Sequence, residues 1–328
     1  MAHTHRNLLL IGGAMVVVVA AILAFRAGSE RPATTVQIGY LPIYVDLPLF
    51  VAKESGLFAK HHVNVELTRF AASPDMGTAL ANGKLDIAAS IATAVLLSSE
   101  SRDPGKLKAF IVDSETPENY LSSIVVMPVS GIKSLDDLRG KKLGSFPGPT
   151  AVTFCKLVLE KAGLNPDKDL SIIELPVQSH LAALTSGQVD ALFTYEPTGT
   201  QAVLQKGAHK LLPGAVESKI INPWQAGSWV IRDAFAREYP REARAIIMAL
   251  YEAIDSLRAN PSAAKAALIP YTTIDQSVAQ ATPNIPFAKV GEVNLDVLQQ
   301  HADILQRHGI ISKYIDVKQL LLSKSVLP

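Results

Sequence analysis

The chain has 328 residues, 48% of them hydrophobic and 19% charged, with a net charge of +1. That composition is globular rather than disordered, and the length suffices for two domains with cores of their own. The first 31 residues carry three arginines and one glutamate, so the remainder stands at −1 without a basic stripe, which argues against nucleic-acid binding. The single cysteine, Cys155, excludes an intrachain disulfide and a cysteine-based metal site.

In chain order, residues 8–25 form an uncharged run of 18 that reads as an N-terminal hydrophobic helix, either a cleaved signal peptide or an uncleaved signal-anchor. Either way the rest of the chain is exported. Residues 26–35 are a polar tether, so 1–35 form the leader segment. VQIGYL (36–41) reads as a strand, and a helix follows from Leu47, with Leu47, Phe50, Val51, Leu57 and Phe58 on one face and Gly56 interrupting it. Residues 63–70 alternate as a strand. A helix over 74–82 takes Ser73 as N-cap and Pro74 in its first turn, and 85–90 is the next strand. KAFIVD and SSIVVM add two strands, and SLDDLRG a short capped helix.

The second half repeats the plan: strand 141–146, helix 149–163, strand 170–175, helix 179–187 with Ser179 as N-cap, strand 189–194. Within it, ALTSGQVDALFT (183–194) echoes ALANGKLDIAAS (79–90), and both fit A-L-x-x-G-x-(L/V)-D. Each copy reads as a helix end, a glycine stop and a buried strand opening with Asp86 or Asp190, for which a structural role is expected. Strand 227–233 and helices 240–260, 261–269 and 294–308 follow. This last block has no lobe of its own, so it packs back on the first, and the chain crosses between lobes twice. The expected division is lobe one over 36–122 and 225–328, and lobe two over 123–224.

The ordered set IGY, AKESGLFAKHHVNVEL, ALANGKLDIA, SLDDLRGKKLG and ALTSGQVDALFTYEP resembles periplasmic substrate-binding proteins of ABC importers, in the group serving nitrate, sulfonates, taurine and thiamine-precursor pyrimidines. The resemblance covers roughly 36–328. It implies an α/β, bilobal periplasmic-binding-protein fold of two doubly wound lobes on a two-segment hinge. It also implies a monomeric receptor, periplasmic and tethered to the inner membrane if 8–25 is retained, that closes on one small molecule and hands it to a membrane permease.

Ligands of parallel α/β sheets sit beyond the carboxyl ends of the strands, near helix N-termini. That rule selects Tyr44, Asp46, Ser73, Thr93, Gly148, Thr150, Gln178, Tyr195 and Glu196, and Trp224 lies near the second crossing. The set holds two acids and no Lys or Arg. A carboxylate facing a ligand N–H suits it, so the expected ligand is nitrogenous: aminopyrimidine-like, an amine, or a zwitterion such as taurine. Asp46 reads first as the cap of the helix at Leu47 and only second as a ligand contact, and Glu196 reads equally as an acid at a helix N-terminus. A sulfonate or nitrate receptor is the alternative on the same fold. An enzyme of pyrimidine or menaquinone precursor synthesis, a membrane-anchored sensor ectodomain and a transcription-regulator effector domain are the other classes. Against an enzyme stand the lack of a G-x-S-x-G elbow, a P-loop and a His–carboxylate spacing. No cofactor or metal is expected, and His61–His62 reads as a solvated turn.

Overall fold

Two mixed sheets carry the chain in the computed structural model, which describes residues 34–323, 326 and 327. The predicted helix over 8–25 lies outside the described residues. The described residues from Val36 onward form one compact unit.

The first sheet starts with β1 (Val36–Tyr40), a 3₁₀ turn, and helices α1 (Leu47–Glu54) and α2 (Leu57–Lys60), separated where Gly56 turns left-handed at φ 68°. Then come β2 (Val65–Arg69), α3 (Ser73–Ala81), β3 (Ile87–Ala92), α4 (Thr93–Arg102) and β4 (Leu107–Asp113). The second sheet takes β5 (Ser122–Val126), β6 (Lys142–Ser145), α5 (Pro149–Lys161), β7 (Ser171–Glu174), α6 (Val177–Thr185), β8 (Ala191–Tyr195), α7 (Thr198–Lys206), β9 (His209–Pro213) and α8 (Ala215–Lys219). The chain then returns with β10 (Gly227–Arg232), α9 (Asp233–Glu238), α10 (Pro240–Ala259), α11 (Pro261–Ala264), α12 (Gln276–Ala281), β11 (Phe287–Lys289) and α13 (Leu295–Arg307).

The sheet orders are β11-β4-β10-β3-β1-β2 and β7-β6-β8-β5-β9. In each, the predicted β-α-β-α-β unit is parallel: β1 lies between β2 and β3, and β6 between β7 and β8. Each sheet also holds one antiparallel strand delivered by a crossing of the chain, β10 between β3 and β4, and β5 between β8 and β9. The crossing strands run the other way because each enters its sheet directly from the opposite lobe, without a crossover helix. The two crossing segments pair at one bridge, Glu115 with Trp224.

Three predicted caps shift. Ala72, not Ser73, is the N-cap of α3, and Pro176, not Ser179, that of α6. Asp46 precedes α1 but its side chain caps nothing; its carboxylate takes the Leu41 N–H instead and ties down the turn over 41–46. Ser134 does cap its short 3₁₀ helix, in a capping box with Asp137. The expected helix over 261–269 is the single turn of α11 continued as 3₁₀ through Lys265–Leu268. Among the described residues no helix is long and apolar enough to cross a membrane.

At one rim the lobes are joined by hydrogen bonds. From α7, Gln201 Nε2 donates to Thr273 O (2.7 Å) and Gln205 Nε2 to Asp275 Oδ2 (2.9 Å). The acceptors lie in a segment anchored to the first sheet's side, where Tyr271 stacks on Phe50 at 4.2 Å. The Tyr44 N–H donates to Glu196 O (3.0 Å) nearby.

Candidate ligand-binding cleft

A cavity of about 40 Å³ opens between the two sheets. The first lobe lines it with Leu41, Ile43 and Val45 from the 3₁₀ turn, Ser73 and Pro74 from α3, Ser90 and Ala92 from β3, and Asp113 from β4. The second contributes Phe146, the Pro147–Gly148–Pro149 turn, Thr150 at the start of α5, and Tyr195 closing β8; Trp224, Ala226 and Gly227 come from the second crossing. All of these sit at strand ends or helix starts, where the strand-end rule places a ligand.

The wall is aromatic and apolar with few polar groups. Phe146 stacks on Tyr195 (5.2 Å), and Trp224 packs between Tyr195 (6.2 Å) and Phe154 (5.1 Å). Three lining atoms are buried with no hydrogen-bond partner in the protein: Asp113 Oδ1, Thr150 Oγ1 and Trp224 Nε1. Buried polar atoms are ordinarily paired, so three such orphans around one cavity are groups that a ligand can satisfy. No Lys or Arg lines it.

Glycine makes room at two points. A Cβ on Gly227 would sit 2.1 Å from Ser90 Oγ and 2.5 and 2.7 Å from the Asp113 oxygens, so only glycine leaves that carboxylate uncovered. Gly148, at φ 107°, brings the second lobe against Pro74 of the first, where a Cβ would be 3.1 Å from the proline ring.

Five of the ten sequence-selected residues line this cavity: Ser73, Gly148, Thr150, Tyr195 and Trp224. Ser73 also accepts the Ala92 N–H at 3.1 Å. The other five do not line it. Tyr44 is buried, its hydroxyl meeting the Ile285 backbone. Asp46 is wholly buried in its own turn. Thr93 Oγ1 donates to Gln225 O (2.9 Å), bracing the returning crossing. Gln178 is exposed in a second cavity with Arg69, Thr198 and Thr273. Glu196 is fully buried, but its partners are Lys210 Nζ (2.6 Å) and the Thr200 N–H (3.0 Å). The lysine comes from β9, a strand absent from the sequence reading, so Glu196 is a paired internal acid.

The acids behind the cavity were missed. Asp113 closes β4 and Glu115 follows in the crossing; both are fully buried. Asp113 Oδ2 accepts from Ser90 Oγ (3.2 Å), and Glu115 Oε2 accepts the Ala226 N–H (3.3 Å). Burial pushes both carboxyls above the ordinary range, and for Glu115 the charges of Asp113 and Glu217 add to it. The signal was present in the sequence: KAFIVD ends in the acid, and the strand-end rule applied to that strand selects Asp113.

Cys155 is buried in α5, and burial pushes its thiol well up, so it offers no thiolate. Among the described residues no group of three or more His, Cys, Asp or Glu is placed to hold a metal ion.

The chain is similar in sequence to the nitrate/nitrite binding protein NrtA of Nostoc sp. (strain PCC 7120), at 24% identity over 236 residues, 67% of this chain and 53% of that protein. In structure it is similar to the ligand-binding component of an ABC-type import system from Staphylococcus aureus, with a TM-score of 0.73 and 18% identity over 89% of this chain and 97% of that one. It is similar also to the desulfurization enzyme DSZB, with a TM-score of 0.65 and 16% identity over 89% and 97% of the two chains. The shared architecture is the bilobal periplasmic-binding fold, which therefore carries both receptors and an enzyme. The model of the NMT1-like family matches residues 29–269, and the chain belongs to that family.

Proposed function

We propose that this protein is an exported solute receptor that closes its two lobes on one small nitrogenous molecule and delivers it to an ABC transporter permease. Lobe one is assigned to 36–122 and 225–328, lobe two to 123–224, with hinges at the two crossings. The receptor works as a monomer in the periplasm, tethered to the inner membrane if residues 8–25 are retained. The ligand's flat or apolar body lies against Phe146, Tyr195 and Trp224, and Ser73, Gly148 and Thr150 border it.

One observation carries the choice of ligand. The orphan Asp113 oxygen faces an aromatic cavity without a single cationic side chain. A buried carboxylate needs a donor, and a ligand N–H supplies one at a site where an anion would be repelled. The acid in this role is Asp113 rather than Asp46 or Glu196.

A sulfonate or nitrate is the second reading. It is favoured by the start of α5, where Gly148 gives no side-chain cap and the unpartnered Thr150 hydroxyl faces the same cavity. The fold shared with DSZB keeps an enzyme in view, but Cys155 is buried outside the cleft lining and offers it no thiolate.

A thermal-shift screen against aminopyrimidines, taurine, alkanesulfonates, nitrate and polyamines tests the reading, since a ligand bound only by the folded state raises Tm by mass action. A rise with an amine or aminopyrimidine, lost in Asp113→Asn, supports it. A rise with nitrate or alkanesulfonates alone supports the second reading and removes the first.

A further inference from the structure

Asp113 and Glu115 form a pair of a particular kind. Both are fully buried, both lie against the Ala226–Gly227 backbone from positions two apart on one extended segment, which places them on the same face, and each keeps one oxygen, Oδ1 and Oε1, without a donor. The donors that do reach them are neutral: Ser90 Oγ and the Gly227 N–H for Asp113, the Ala226 N–H for Glu115.

The groups around the pair offer no positive charge. Asp46, before α1, is buried with one oxygen on the Leu41 N–H and the other unpartnered. Glu217, from α8, accepts from the Leu121 N–H, the Ser122 N–H and Ser122 Oγ at 2.6–3.1 Å. Tyr195, from β8, lines the same cavity. His301, from α13, donates through Nδ1 to Gln225 O, and burial keeps its ring neutral by holding its pKa down to about 4. Among the described residues the internal ion pairs of Glu196 with Lys210 and Asp86 with Arg232 do not involve this cluster. Two neighbouring carboxylates, out of water and without a cation, cannot both stay ionised.

We propose that Asp113 and Glu115 share one proton while the cleft is unliganded, and that a cationic nitrogen of the ligand displaces it, so that one cation bound releases one proton. The O–H···O bond between the carboxyls breaks, ligand N–H groups donate to Asp113, and the proton passes to solvent. The pair is singly negative with the proton and no cation, and equally so with the cation and no proton, so the buried net charge stays constant. This rests on the receptor reading and narrows it to a cation small enough for the cavity, with an apolar body for the aromatic wall. Binding would then strengthen with pH, up to tenfold per pH unit while the pair is protonated.

The test has two arms on the full chain. In the first, infrared spectroscopy at pH 7 without ligand looks for the C=O stretch of a protonated carboxyl. The expected result is a wild-type band whose intensity falls in both Glu115→Gln and Asp113→Asn, while any part due to the buried Asp46 and Glu217 carboxyls stays the same in all three proteins, with circular dichroism confirming that each variant is folded. No band in the wild type, or a band undiminished in both folded variants, overturns the shared proton whatever the ligand is. In the second arm, benzylammonium is titrated calorimetrically in two buffers of different ionisation enthalpy. Release of about one proton per cation bound, together with loss of the infrared band, supports the exchange. Binding without proton release overturns the exchange and leaves the receptor reading intact. Absence of benzylammonium binding overturns the cationic aromatic ligand, while the first arm still decides the proton.

Discussion

Glu115 and Trp224 exchange both backbone hydrogen bonds, each N–H donating to the other's carbonyl at 2.8 Å. They lie on the two segments that cross between the lobes, so the hinge strands are fastened together at this bridge. Trp224 lines the cleft and Glu115 is buried behind it, so hinge position and cavity shape are linked through the Trp224 indole. Trp224→Phe keeps most of the packing on Phe154 and Tyr195 and removes the unpartnered Nε1–H. Lost contact and the relieved buried donor offset, so stability in urea should move by less than about 2 kcal/mol. Ligand affinity should fall about tenfold, the worth of one lost hydrogen bond to a ligand acceptor. An unchanged affinity would show that the indole N–H does not meet the ligand.

The echoed motif has one structural meaning in both halves. Asp86 Oδ2 accepts the Gln37 N–H at 3.0 Å, and Asp190 Oδ2 accepts the Lys142 N–H at 2.8 Å. Each aspartate also returns its own N–H to the carbonyl of the same partner residue, at 2.9 Å. Each thus fastens a parallel strand to its neighbour at the amino-terminal end of the pair. Asp86 carries an extra ion pair with Arg232 at 2.6 Å. Asp190→Ala should therefore cost about 1–2 kcal/mol in urea unfolding, and Asp86→Ala about 3 kcal/mol. The reverse order would show that the Arg232 pair is idle.

This motif was legible because it is local: a helix stop, a left-handed glycine (Gly83 and Gly187, φ 72° and 74°) and an acid three residues on. The alternating strands and the apolar helix faces were legible for the same reason. The pairings of the buried acids were not. Whether Glu196 meets a ligand or a lysine depends on β9, which the sequence places 14 residues away and only the fold brings to 2.6 Å. Asp46 looked like a cap because it precedes a helix, yet its own turn offered the Leu41 N–H first. The strand-end rule found Ser73, Thr150 and Tyr195, and it passed over Asp113 because it was applied only to the strands of the two β-α-β-α-β units, and KAFIVD is a further strand outside them.

Lys210 and Glu196 supply a test that separates support from binding. The lysine is 14% exposed and the glutamate not at all. Lys210→Met leaves the carboxylate buried and uncompensated, at a cost of about 3–5 kcal/mol. Adding Glu196→Gln to it should recover much of that loss, which a double-mutant cycle in urea measures. Glu196→Gln alone should leave ligand affinity within about threefold, a change of less than 1 kcal/mol. A loss of binding in that single variant would return Glu196 to the ligand site.

Gly227→Ala drives a methyl group to 2.1 Å from Ser90 Oγ and within 2.7 Å of both Asp113 oxygens. Overpacking should cost about 1–3 kcal/mol, and covering the carboxylate should weaken binding by more than about tenfold. Ser90→Ala in the same chain removes the closest clash. Melting temperature should then partly recover while binding stays weak, because the contact with Asp113 persists. Recovery of both together would mean that Asp113 is not the group the ligand meets.

The pH dependence of stability has two limbs of opposite sign. Burial holds His180 and His301 neutral, with pKa values pushed down to about 4. The unfolded chain takes up those protons below about pH 6.5, so the stability they contribute is full above that pH and is lost as pH falls toward 4, to a limit of roughly 3 kcal/mol each. Glu115 works the other way. Its raised carboxyl holds a proton that the unfolded chain has already lost, so the folded state loses stability as pH rises through its folded pKa. Above pH 6.5 the histidines are silent and only the acid limb acts. Urea midpoints measured from pH 4 to 9 should therefore fall on both sides of a maximum. Glu115→Gln should flatten the alkaline side alone, and His301→Gln the acid side alone. An alkaline slope that survives Glu115→Gln would assign it to Asp46, Asp113 or Glu217, the other buried acids raised by desolvation.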